Sequence, residues 1–79
     1  MPTIFILDSI KIMIFFDDHN PPHFHAVYNE HEELVTIPTL EPIKGRLPRN
    51  QRKKLEQWAN GHMEFVIKKW NEFNPDSKI

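Results

Sequence analysis

The hydrophobic period of the chain changes once, near Pro48, and that change limits the folds open to it. Before Pro48 the apolar residues fall in short runs that alternate or nearly alternate; after it they recur three or four apart. Leu55, Trp58, Ala59, His62, Val66, Trp70 and Phe73 form one stripe, widened by Phe65 and Ile67. Spacings of three and four place side chains on one face of a helix, and alternation places them on one face of a strand. The stripe predicts an amphipathic helix from about Pro48 to Phe73. Pro48 suits its first turn, where a missing N–H costs nothing, and Pro75 lies just past its end. At 1.5 Å per residue this helix would run about 39 Å, longer than so small a domain is wide. Gly61, in its middle, costs roughly 1 kcal/mol relative to Ala and is the expected place for a bend.

Upstream, Thr3–Leu7 is a short apolar run ended by Asp8-Ser9, a pair that reads as a tight turn. Ile10–Phe16 is β-branched and aromatic, with Ile10, Ile12, Ile14 and Phe16 on one face and Lys11, Met13 and Phe15 on the other. Asp17-Asp18-His19-Asn20-Pro21-Pro22 stops it, because two prolines cannot continue a ladder. His23–Tyr28 resumes a strand, Asn29–Glu32 reads as a polar turn, and Glu33–Ile37 as a fourth strand. The stretch from Pro38 to Leu47 is loop-like, with room for a short strand at Ile43–Arg46. The expected fold is α+β: a small, mainly antiparallel sheet of about four strands packed against one long C-terminal helix. It forms a single domain over residues 1–79, with the sheet in 1–47 and the helical region in 48–74.

The chain has no cysteine, which excludes a disulfide framework, a zinc ribbon and a thiol nucleophile. No apolar run is long enough to span a membrane, and no basic start with a long apolar stretch opens the chain. A soluble cytoplasmic protein without a membrane partner is therefore expected. Nine aromatic residues in 79 supply a core of few but bulky groups. A helix that outruns its sheet should leave some of them exposed, so Phe65, Ile67 and Phe73, together with an edge strand, are expected to meet a partner protein or a second copy.

The densest chemistry is His19-x-x-x-His23-x-His25. His23 and His25, at i and i+2 on a strand, share a face opposite Phe24 and Ala26. His19 precedes them in a loop stiffened by Pro21-Pro22, and Asp17 and Asp18 lie near enough to orient an imidazole. Three readings are open. The histidines can ligate a divalent metal such as zinc, through His19, His23 and His25, with Asp18 able to stand in for one of them. They can work without a metal as acid and base, as cleavage of an RNA phosphodiester requires, with Asp18 orienting His19 and an arginine neutralising developing charge. Or they are structural, satisfying turn carbonyls. The metal-free reading asks less of the chain, since it needs only two imidazoles flanking one phosphate. His31 reads as solvated, and His62 as a core-edge residue with one hydrogen bond.

Charge is unevenly spread. The net charge of −1 combines −6 over residues 1–43, +6 over residues 44–54 and −1 over the remainder. Arg46, Arg49, Arg52 and Lys53 surround the expected helix start, where cations oppose the macrodipole but where free N–H groups and arginine forks suit a phosphate. Arg49 shares a helix face with both Arg52 and Lys53. No groove-entering motif accompanies them, so they would supply affinity for nucleic acid rather than sequence choice. A bare solvated turn, or a surface covered by an acidic or apolar protein segment, is the competing reading.

The stretch from Phe16 to Tyr28, with Asp18-His19-Asn20-Pro21-Pro22-His23-Phe24-His25-Ala26 at its centre, resembles the signature of a bacterial family of small proteins, domain of unknown function 4160. The opening Met1-Pro2-Thr3-Ile4, the later Gly45-x-Leu47-Pro48, Trp58-Ala59 and Trp70 are similar to it as well. Asp18, His19, Pro22, His23 and His25 stand at the motif positions, while Gly61 departs from the stronger helix former expected there. The family is similar to the DhiT type of toxin in type II toxin–antitoxin pairs. That resemblance implies a cognate antitoxin as partner and action on RNA, as a small ribonuclease or a ribosome-directed inhibitor. The other class of function is a non-catalytic binding module whose histidines are structural or hold a metal.

Overall fold

The computed structural model of the protein describes residues 3–79. Met1 and Pro2, which open the family-like start of the chain, lie outside the described residues. Among the described residues five strands, β1 (Thr3–Leu7), β2 (Ile10–Met13), β3 (His23–Tyr28), β4 (His31–Thr36) and β5 (Pro42–Gly45), form one sheet in sequential order. Every neighbouring pair is antiparallel. The sheet thus has five strands where four were expected, the fifth formed within the loop-like stretch after Pro38. Asp8 and Ser9 join β1 to β2 with positive φ at both residues, 44° and 69°, the backbone that lets a two-residue hairpin follow the strand twist.

Gly45 makes β5 feasible. Its φ is +74°, and a Cβ there would lie 2.0 Å from the Glu32 carbonyl oxygen. Only a residue without a side chain lets the last strand approach β4 so closely.

Period-two patterning sorts the sheet. Ile10, Ile12, Phe24, Ala26 and Val35 are fully buried on one face and join Leu55, Trp58, Ala59, Val66 and Trp70 of the helical region in one core. The second strand is shorter than its apolar run. It ends at Met13, Ile14 remains buried, and Phe16 has turned out to 62% exposure.

The helical region is two helices rather than one: α1 (Arg49–Gly61) and α2 (Met63–Phe73). The longest dimension of the molecule is 34 Å, so a straight helix of about 39 Å would project beyond the core. The break falls at His62, whose φ of −131° leaves the helical region. Its own ring repairs part of the damage: His62 Nδ1 donates to the Trp58 carbonyl at 2.7 Å, and the ring stacks on Trp58 at 5.0 Å. The break lets Leu55 and Trp58 of α1, and Val66 and Trp70 of α2, all reach the same core.

One buried charge pair ties the helices to the sheet. Glu33, 1% exposed on the core face of β4, accepts the Leu47 N–H at 2.9 Å and faces Arg52 Nη1 at 3.1 Å. Those two charged atoms lie off the hydrogen-bond axis, so their attraction is coulombic. Arg52 also donates to the Leu40 carbonyl and pairs with Glu56 at 3.2 Å.

Two glycines give opposite expectations. Gly45→Ala should cost several kcal/mol, because both the backbone and the contact forbid it. Gly61 has no atom within 4 Å of a Cβ and no positive φ, so Gly61→Ala should stabilise by about 0.4–1 kcal/mol. Thermal unfolding followed by circular dichroism should show a Tm fall for the first and a rise of roughly 2–8 °C for the second. Arg52→Ala, which leaves Glu33 buried without its cation, should cost about 3–5 kcal/mol.

Candidate functional site

The site begins at the far end of the chain. Asn74, the residue after α2, is 3% exposed. Its Oδ1 accepts the Asp18 N–H at 2.7 Å, and its Nδ2 donates to the Phe15 carbonyl at 3.1 Å and the Trp70 carbonyl at 3.3 Å. Beside it, the Asp17 N–H donates to the Phe73 carbonyl at 3.3 Å. Asp17 sits at φ 51°, so the chain turns sharply there and delivers Asp18 over the start of β3.

Asp18 then lies between two imidazoles. Its Oδ1 accepts the His19 N–H at 2.9 Å. Its Oδ2 is 3.1 Å from His23 Nε2 and 3.3 Å from His25 Nε2. Each ring is anchored through its other nitrogen. His23 Nδ1 donates to the Pro21 carbonyl at 2.8 Å, and His25 Nδ1 meets Glu32 Oε2 at 3.0 Å. Packing holds the rings as well: His23 lies 5.9 Å from Trp70, and Phe15 meets His25 edge-on at 4.5 Å. The His23 side chain is 6% exposed, His25 14% and Asp18 18%, so solvent reaches the carboxylate but hardly the inner ring.

Burial pushes the Asp18 carboxyl up. The His19 N–H, the hydrogen bond with His25 and the charges of His23 and His25 outweigh it and hold the carboxyl below the ordinary aspartate value. A lowered carboxyl pKa contributes stability that is complete above the ordinary carboxylate range and lost as pH falls through the lowered value.

The family described as domain of unknown function (DUF4160) matches residues 9–71. The chain belongs to this family. No curated protein and no solved structure matches it.

In this DUF4160 member the sequence-predicted site residues are not all brought together. Asp18, His23 and His25 form one cluster, with ligand atoms within 4.8 Å of one another. His19 is exposed and contributes its backbone N–H rather than its ring. Asp18, expected to orient His19, instead faces the other two histidines. Arg46, Arg49 and Lys53 are exposed. Arg52 is not free for a phosphate, being held by Glu33, Glu56 and the Leu40 carbonyl. His31 pairs with neighbouring Glu30 at 3.3 Å. Among the described residues, no helix is long and apolar enough to cross a membrane.

Three contributors escaped the sequence reading. Glu32 looks like a turn acid, yet β3 pairs with β4 so that Glu32 lies across from Val27, diagonal to His25. Lys44 lines, with His25, Glu32, Leu34 and Gly45, a hollow of about 300 Å³ on the sheet face away from the helices. Asn74 reads locally as a helix stop before Pro75, and its partners lie 56 and 59 residues away.

Asn74→Ala should therefore do more than shorten a cap. It leaves the Asp18 N–H and the Phe15 carbonyl without their partner, at a cost of about 2–4 kcal/mol. Hydrogen exchange should show the Asp18 amide losing protection beyond the global loss. Equal loss across the sheet would assign Asn74 to general stability alone.

Proposed function

We propose that this chain is the toxin of a bacterial type II toxin–antitoxin pair and that it acts on RNA, with the phosphodiester held in the hollow that joins His25 to Lys44. The observation that carries the reading is that shared hollow. It sets an imidazole able to move a proton beside an ammonium able to neutralise a phosphate oxygen. Gly45 lines it too, and Arg46, Arg49 and Lys53 follow as exposed cations. These would track a nucleic-acid backbone without reading bases, which fits a small domain with affinity for RNA and little sequence choice. Glu32 shares the hollow and opposes an anion; its hydrogen bond to His25 Nδ1 gives that carboxylate an orienting role, as the acid of a His–carboxylate pair.

A cognate antitoxin is the proposed partner. Ile6, Phe16 and Ile43 are 61%, 62% and 46% exposed, and large exposed apolar side chains of this kind suit a protein interface. Phe65, Ile67 and Phe73 fit that role less well, since they are partly buried and packed against the core.

The test is induction of the wild type in a bacterial host beside His25→Ala, followed by sequencing of RNA ends. Discrete new ends in the wild type, reduced at least about a hundredfold in the variant, are expected. Growth arrest without new ends would reject RNA cleavage, and no arrest with intact antitoxin binding would favour the non-catalytic module. For the cations, Arg46→Gln, Arg49→Gln and Lys53→Gln together should flatten the salt dependence of RNA affinity by a log–log slope of about 2, at roughly 0.7 per contact. Arg52 stays unchanged in that variant because it holds Glu33.

A further inference from the structure

We infer that Asp18, His23 and His25 form a site for one divalent transition-metal ion, bound through Asp18 Oδ2 and the two Nε2 atoms. This site can be tested apart from the RNA reading, although the two share His25: a ring bound through Nε2 and held at Nδ1 by Glu32 has no nitrogen left to move a proton, so a filled site would leave that step to another group.

The first ground is proton placement. The Pro21 carbonyl can only accept, so the His23 ring carries its hydrogen on Nδ1. His25 stands between two carboxylates, with Glu32 Oε2 at 3.0 Å from Nδ1 and Asp18 Oδ2 at 3.3 Å from Nε2, and the shorter contact favours the hydrogen of its neutral ring on Nδ1. In their neutral forms both rings then turn an Nε2 lone pair toward Asp18 Oδ2. Three electron-pair donors face one another, and only a cation or extra protons between them makes that favourable. With neutral rings, Asp18 and Glu32 bring two negative charges to this spot, which one divalent ion balances.

The second ground is distance. A charge-assisted N–H···O bond contracts to about 2.7–2.9 Å. The Nε2–Oδ2 separations are 3.1 and 3.3 Å. Ligand atoms about 2.0–2.1 Å from one metal stand roughly 3.3 Å apart in a tetrahedron and about 2.9 Å apart at an octahedral right angle. The two nitrogen–oxygen separations fall within that span, and all three ligand atoms lie within 4.8 Å of one another.

The third ground is support. Each imidazole is held through its Nδ1 by an acceptor, a backbone carbonyl for His23 and a carboxylate for His25, the outer-shell pattern that fixes metal-ligating rings. Asp18 is held by Asn74 and by the His19 N–H. His23 is more than nine-tenths buried with Nε2 aimed into the cluster. Two imidazoles and one carboxylate with solvent on one side suit zinc, iron(II) or manganese(II) with coordination positions left for water or substrate.

Zinc added to the tag-free full chain at neutral pH, with affinity read by competition against a chromophoric chelator, tests the site. One ion per chain is expected. His25→Ala and Asp18→Ala should each weaken binding at least about a hundredfold, and Glu32→Gln about 10–100-fold. His19→Ala should leave affinity within about threefold, since that ring lies outside the cluster. Circular dichroism separates lost binding from lost folding, and Glu32→Gln, a change at a half-exposed side chain, keeps a folded variant in the test. No stoichiometric binding by the wild type, or binding indifferent to Asp18 and His25 but lost with His19, overturns the inference. RNA ends play no part in this readout, so either proposal can fail while the other stands.

Discussion

Four hydrogen bonds at the end of α2 decide where the chemistry of this chain sits. Asn74 spends its side chain on Asp18, Phe15 and Trp70, and its own N–H on the Trp70 carbonyl. A loop with two prolines and a left-handed Asp17 would otherwise leave Asp18 free to sample solvent. Hooked to a buried amide, Asp18 stands over the first residues of β3 with its carboxylate between two rings. The core serves the same end: Trp70 fixes α2 against the sheet and packs beside His23, so core packing and site geometry share one residue.

The break at His62 follows from similar economy of space. A single helix would satisfy every local preference but Gly61's, yet it would carry Val66 and Trp70 past the sheet. Breaking loses about one turn of backbone hydrogen bonding, which the His62 ring partly replaces at the Trp58 carbonyl. What the chain gains is two fully buried side chains, worth roughly 2–3 kcal/mol or more apiece by area. Asn74 can reach the β2–β3 loop only because α2 lies where the break puts it.

Most of the fold was legible because periodicity is a local signal. The boundaries of β1 and β3, the Asp8-Ser9 turn and the helical stripe all follow from neighbours in sequence. The fifth strand was harder to read, since it depends on a close backbone approach at Gly45 rather than on an apolar run. In the site, His23 and His25 were legible as a pair because strand geometry fixes their shared face. His19 stands in the same motif, but Asp17 turns the chain so that the neighbouring carboxylate enters the cluster and the His19 ring does not. Arg52 looked like its basic neighbours, and only the buried Glu33 distinguishes it. Asn74 carried no local sign at all, because hydrogen bonds across more than fifty residues leave no periodic trace.

The central claim is that Asp18 faces two imidazoles whose hydrogens lie on Nδ1, turned away from it. Long-range proton–nitrogen correlation of the histidine rings in the protein loaded with one equivalent of zinc reads this directly. His23 and His25 are expected as Nδ1–H tautomers, while exposed His19 shows the Nε2–H form that free imidazole side chains favour. Nε2–H signals from both His23 and His25 would contradict the geometry, for the carboxylate would then be a simple hydrogen-bond acceptor and the cluster closed to a metal.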